Sequence, residues 1–95
     1  MDFEWDPRKA ESNLRRHGVS FTEAATVFGD DLAITVTDPD HSKDEDRYIT
    51  IGWSNRRGLL MVSPTDRDDR IRIISARELT RNERKAYEEE IRTYG

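Results

Sequence analysis

The sequence predicts an α+β domain: two N-terminal helices, a four-stranded antiparallel sheet and a C-terminal helix. Three observations lead there. Ser20-Phe21-Thr22-Glu23 and Thr80-Arg81-Asn82-Glu83 are capping boxes, which mark helix starts towards either end of the chain. Between them lie β-rich runs bounded by polar, turn-forming stretches. The connections between the last three runs are short, and short connections imply an antiparallel meander. Helices and strands are therefore segregated in the order ααββββα.

Each element follows from its residues. Asp6-Pro7 opens the first helix, because Asp can cap and Pro suits the first helical position. The helix should run to Arg16 or His17 and stop at Gly18, suited to the left-handed residue after a helix end. Its apolar content, Ala10 and Leu14, is thin, so most of its circumference should be solvated. Val19 and Ala24 are placed for a hydrophobic staple around the second cap. Phe21, Ala24, Ala25 and Phe28 then share one helical face, and Gly29-Asp30-Asp31 ends that helix.

Leu32 to Thr37 and Arg47 to Trp53 read as the first two strands, joined by a loop over Asp38 to Asp46. Asn55-Arg56-Arg57-Gly58 is a turn and Leu59 to Ser63 the third strand. Pro64 should end that ladder, since proline has no N–H to donate. Thr65 to Asp69 forms a charged turn before the fourth strand, Arg70 to Ala76. The last helix, to about Tyr94, carries Tyr87, Ile91 and Tyr94 as one apolar stripe.

Composition narrows the function. Ninety-five residues with 34% hydrophobic and 38% charged content make one domain with a modest core. The absence of cysteine excludes disulfides and thiolate metal sites. No apolar run approaches a membrane span, and Met1-Asp2-Phe3-Glu4 lacks the form of a signal peptide, so the protein reads as cytoplasmic with no membrane partner. The acidic loop around His41 lacks the register of a calcium loop, and no metal or cofactor is expected.

Charge is unevenly distributed. Residues 1–46 hold twelve acids and five bases, residues 47–95 eight acids and eleven bases, within a net charge of −4. From Arg70 to Lys85 there are six basic side chains against two acids. A cationic strip on an acidic protein suggests an anionic partner met at one place, with RNA phosphate the leading candidate. Strand alternation puts Arg70, Arg72, Ile74 and Ala76 on one side, and Ile71, Ile73, Ser75 and Arg77 on the other. Arg77, past the strand's end, could turn back to the same edge as Arg70 and Arg72. Arginine's planar fork suits phosphate, although surface pairing with Asp66, Asp68, Asp69 or Glu78 explains the strip equally well.

Other candidates also have two readings. Glu83 is explained by the capping box, and could also serve as a base or orient an arginine. His17 sits at a helix C-terminus, where it can cap free carbonyls or act in catalysis. Trp5 and Trp53 could stack on bases, but large aromatics in so small a core are more often structural.

Trp5-Asp6-Pro7 with Lys9, Asn13 and His17-Gly18-Val19-Ser20-Phe21-Thr22-Glu23-Ala24 resembles the N-terminal signature of the BrnT family of toxins. Arg72-Ile73-Ile74-Ser75-Ala76-Arg77, with Glu83-Arg84 and Tyr87, is similar to its C-terminal signature, and Thr65-Asp66-Arg67 to a further family element. Pro64 departs from that pattern. The resemblance implies a ribonuclease toxin with a fold related to RelE, which cleaves RNA and arrests translation. It implies a ribbon-helix-helix antitoxin as partner, usually two toxins with two antitoxins, contacting operator DNA through the antitoxin. It raises Arg77, Arg67, Glu83 and His17 as catalytic candidates, and Lys9, Arg70, Arg72, Arg84 and Tyr87 as RNA-binding ones. A metal-independent endoribonuclease is the leading expectation; a catalytically inactive antitoxin-binding, co-repressor module is the alternative.

Overall fold

Asp6 and Pro7 start a helix as their chemistry requires. The Asp6 carboxylate accepts the Arg8 N–H at 2.8 Å, and α1 runs over Pro7–His17. Gly18, at φ +70°, ends it by donating its N–H to the Leu14 carbonyl at 2.9 Å. The Ser20 hydroxyl accepts the Glu23 N–H at 3.0 Å and opens α2 (Phe21–Thr26), which tightens into a 3-10 turn at Val27–Gly29. Strands β2 (Ile34–Thr37), β3 (Tyr48–Trp53), β4 (Leu59–Arg67) and β5 (Arg70–Glu78) pair antiparallel in succession. Helix α3 covers Arg81–Tyr94. The computed structural model describes residues 1–38 and 47–94, the last three of these by backbone alone. Beyond Asp38, the expected acidic loop with His41 falls outside the described residues, as does the side chain of Tyr94.

The sheet differs from expectation in having five strands. Asp2–Glu4 form β1, which pairs parallel with β5 and gives the order β1-β5-β4-β3-β2 in a mixed sheet. So short a strand, with Phe3 as its one apolar residue, leaves no period to read, and its partner lies at the other end of the chain. The core is built on one face of this sheet. Val19, Phe21, Ala24 and Val27 from the helical layer meet Leu60, Val62, Ile73 and Ala76 from β4 and β5. Trp5 closes over Phe21 edge-on, with ring centroids 6.0 Å apart, so Trp5 is structural. Among the described residues no helix is long and apolar enough to cross a membrane.

Pro64 does not end its strand. The β4–β5 register shifts between Ser63 and Pro64: Ser63 lies opposite Ser75, Pro64 opposite Ile73, and Ile74 bulges out between them. A bulge is one of the few places where a sheet tolerates proline. The ladder resumes through Arg67, and the expected five-residue turn shrinks to Asp68-Asp69, with Asp68 at φ +54°. The bulge also inverts the expected alternation. Ala76 joins Ile73 in the core, and register places Arg77 on the open face, the side of Ser75, Arg72 and Arg70.

That open face is covered at one end by α3. Tyr87 is buried and its hydroxyl donates to the Leu32 carbonyl at 3.4 Å, while Leu59 is buried on the side of β4 opposite to Leu60. The apolar stripe expected of the last helix holds for Tyr87 and for half-buried Ile91.

Candidate nucleic-acid interface

Among the described residues, the edge of β5 beyond the short β1 has no strand neighbour, and α1 takes its place. Asn13 makes the joint. Its amide donates to the Ala76 carbonyl at 2.8 Å and the Val19 carbonyl at 2.9 Å, and its carbonyl accepts the Ala76 N–H at 3.1 Å. A side chain thus completes a sheet edge that would otherwise bury unpaired backbone groups. The sequence places Lys9, Ser12, Asn13 and Arg16 at i, i+3, i+4 and i+7, so one polar face of α1 lies along the sheet.

Between that face and the sheet is a cleft of about 460 Å³. Lys9, Ser12, Arg16 and His17 line it from α1, and Met61, Ser63, Ser75 and Arg77 line it from β4 and β5. Among the described residues, none that lines it is acidic. Three cations and the hydroxyls of three serines therefore converge on a space large enough for a phosphate and its sugar. The bulge at Ile74 makes this possible, because a regular strand would have turned Arg77 to the core side.

Arg77 is held rigidly. Its Nη1 and Nη2 donate to Glu83 Oε1 and Oε2 at 2.8 and 2.9 Å, a bidentate pair, and Nη1 also reaches the Glu78 carbonyl at 3.1 Å. Nη2 lies 3.3 Å from the Met61 sulfur. Glu83 Oε1 accepts the Thr80 N–H at 2.9 Å, and the Glu83 N–H donates to Thr80 Oγ1 at 3.2 Å. Glu83 therefore fulfils both expected roles, capping α3 and orienting an arginine. Hydrogen bonds from Arg77 and then from the Thr80 N–H lower its pKa to about 2, against a smaller opposing effect of burial. Such a carboxylate is a poor proton acceptor near neutrality. The same bond raises the pKa of Arg77, which stays cationic.

The predicted residues divide into two groups. Lys9, His17 and Arg77 line one cleft, with Glu83 bonded to Arg77. His17 is exposed at the end of α1. Arg67 and Arg70 face each other at the opposite end of the β4–β5 hairpin, roughly 20 Å from Arg77 at strand spacing. Arg72 is paired with Glu4 of β1 at 2.8 Å. Arg84 bonds Glu88 at 3.2 Å and lies over the Trp53 ring, 5.2 Å from its centroid. Trp53 is thus partly exposed on the open face instead of buried in the core. Tyr87, expected at the RNA surface, is placed differently: it is the apolar anchor of α3, buried with its hydroxyl bonded. Burial, and then the charge of Asp30, raises its pKa.

Arg16, Ser12, Ser63 and Ser75 were not foreseen. The helical spacing of Lys9, Ser12 and Arg16 was the available signal for the first two. The juxtaposition of Ser63 and Ser75 follows from the bulge and has none. Among the described residues no group of three His, Asp or Glu is arranged to hold a metal ion.

Residues 5–83 match the family model described as ribonuclease toxin, BrnT, of type II toxin–antitoxin system. The fold is similar to the crystal structure of the Brucella abortus ribonuclease toxin BrnT, with a TM-score of 0.68 and 21% identity. That similarity covers 85% of this chain and 99% of the Brucella chain. No curated protein matches the sequence significantly.

Proposed function

Because this chain belongs to the BrnT family of ribonuclease toxins of type II toxin–antitoxin systems, we propose that the cleft between α1 and β5 is the site at which it cuts RNA without a metal ion. The observation that carries this reading is a cationic cleft, with no acid among the described residues that line it, whose central arginine is locked in place by Glu83.

The reaction follows from the groups present. An RNA 2′-hydroxyl attacks the adjacent phosphorus, the P–O5′ bond breaks, and a 2′,3′-cyclic phosphate forms. Negative charge builds on the non-bridging oxygens as the oxygen attacks. Arg77 meets that charge with a preorganised fork, and Lys9 and Arg16 hold the flanking phosphates. His17 exchanges protons, taking one from the 2′-hydroxyl and returning it to the departing 5′-oxygen. Glu83 is a positioning residue in this scheme, since its carboxylate is committed to Arg77 and Thr80. Arg67 and Arg70, at the far end of the hairpin, serve the trailing strand and not the scissile phosphate.

Cleavage of cellular RNA would halt translation in the cytoplasm. Neutralisation falls to a small ribbon-helix-helix antitoxin, in a complex of two toxins and two antitoxins that reaches operator DNA through the antitoxin. We read the fold, with the α2 layer on one face of a small sheet and α3 over part of the other, as related to RelE. The net charge of −4 favours a second reading, an inactive module that holds the antitoxin and tunes its DNA binding. Purified protein and RNA mixed in excess EDTA separate the two. The nuclease reading expects strand breaks ending in 2′,3′-cyclic phosphate; intact RNA with an otherwise functional antitoxin complex would establish the second.

A further inference from the structure

Trp53 is a large aromatic that the fold leaves partly on the surface, 37% exposed, at the end of β3. Its place is well fixed: its backbone N–H donates to Asp30 Oδ2 at 2.8 Å. Register puts it on the same open face as Arg77, since Trp53 lies opposite Leu59 and Arg77 lies opposite Met61, two residues further along β4. Two strand spacings across and two residues along make the Cα separation roughly 12 Å. A neighbouring nucleotide of a strand bound in the cleft can span that distance.

The first turn of α3 connects the two places. Glu83 fixes Arg77, and the next residue, Arg84, lies with its guanidinium 5.2 Å from the Trp53 ring centroid. The Arg84 side chain is 52% exposed while its Nε donates to Glu88. A guanidinium over a partly exposed indole, itself half open, offers an aromatic and cationic surface. Bases of single-stranded RNA stack on such surfaces regardless of identity. A contact serving only to pin α3 would need neither the exposure nor the proximity to the cleft; Tyr87 already anchors that helix.

We infer that Trp53 and Arg84 form a nucleobase subsite, which stacks one unpaired base flanking the scissile phosphate. The inference rests on the cleft being an RNA site, and it adds a requirement for single-stranded substrate. The subsite contributes to binding and leaves the chemical step to the cleft.

Binding of a short, fully 2′-O-methylated single-stranded RNA tests it, because that strand cannot form a cyclic phosphate and the measurement needs no catalysis. The strand should quench Trp53 fluorescence, a signal absent from Trp53→Ala. Trp53→Ala and Arg84→Ala should each raise Kd about tenfold, and Trp53→Phe should recover most of the loss. An abasic strand of equal length should bind wild type and Trp53→Ala alike, since it keeps the phosphates but has nothing to stack. Unchanged Kd in both folded alanine variants would overturn the subsite, as would RNA that binds neither the variants nor wild type. Failure of the nuclease reading shows separately, as wild-type protein that leaves unmodified RNA intact in EDTA.

Discussion

The two ends of the β4–β5 hairpin carry similar residues in different company. At the turn end, Arg67 and Arg70 stand among Asp66, Asp68 and Asp69, and Arg72 is neutralised by Glu4. At the other end, Arg77 faces Lys9, Arg16 and His17 across a cleft with no acid among the described residues that line it, and Glu83 fixes its orientation. Arginine content therefore does not locate the proposed site. What distinguishes the ends is a single bulged residue, Ile74, and a helix that replaces a missing strand. One re-aims Arg77, and the other brings Lys9, Ser12, Arg16 and His17 against it.

The largest expected effect is at Arg77. Arg77→Ala should lower RNA cleavage by about 10²–10³-fold, the usual loss on removing a preorganised donor to a developing oxyanion. Arg77→Lys should recover little, because an ammonium cannot form the bidentate pair that aligns the fork. Single-turnover cleavage assays read both, and a folded Arg77→Ala enzyme with wild-type rates would move the chemistry elsewhere.

Asn13 tests the other half of the contrast. Asn13→Ala removes three buried hydrogen bonds and leaves the Ala76 amide and carbonyl without partners at the sheet edge. A loss of about 2–4 kcal/mol in urea unfolding is expected, together with loss of cleavage as α1 detaches from β5. Stability unchanged within error would mean that α1 is held by something other than this joint.

Much of this was legible in the sequence, and the gaps have physical causes. Caps are local, so Asp6-Pro7, Ser20 and Gly18 were placed correctly, and the Thr80–Glu83 box is present as read. Pro64 was misread because proline's exclusion from ladders has an exception at bulges, and nothing in the residues 63–75 announces one. Arg77 does reach the side of Arg70 and Arg72, but through the bulge at Ile74 and from within β5, not by turning back past the strand's end. β1 is too short for periodicity and pairs with a distant segment. Asn13 stands out in the sequence only through the family resemblance, and its joint to β5 is not legible there because its partner is backbone, which has no sequence code.

Glu83 offers a smaller and more selective effect. Glu83→Gln can still complete the capping box but cannot hold Arg77 as a charged fork. Cleavage should fall on the order of tenfold to a hundredfold through misplacement, with a stability loss of no more than about 1–2 kcal/mol at neutral pH. The pH dependence has a definite sign. The folded-state pKa of about 2 lies below the ordinary value of 4.5, so the carboxylate stabilises the fold above about pH 4.5 and that contribution is lost as pH falls towards 2. With allowance for solvent screening at a partly exposed pair, it amounts to about 1–2 kcal/mol. Wild type should therefore lose stability between those limits relative to Glu83→Gln, and parallel curves would contradict the assignment.

The account's central claim is that RNA phosphate sits in the cleft and not on the hairpin turn. Backbone amide chemical shifts during titration with non-cleavable 2′-O-methylated RNA test it most directly. The largest changes are expected at Ser12, Arg16, Ser63, Ser75 and Arg77, with Arg67 and Arg70 shifting little and late. The largest changes at Arg67–Arg70, with Ser75 and Arg77 unmoved, would contradict it.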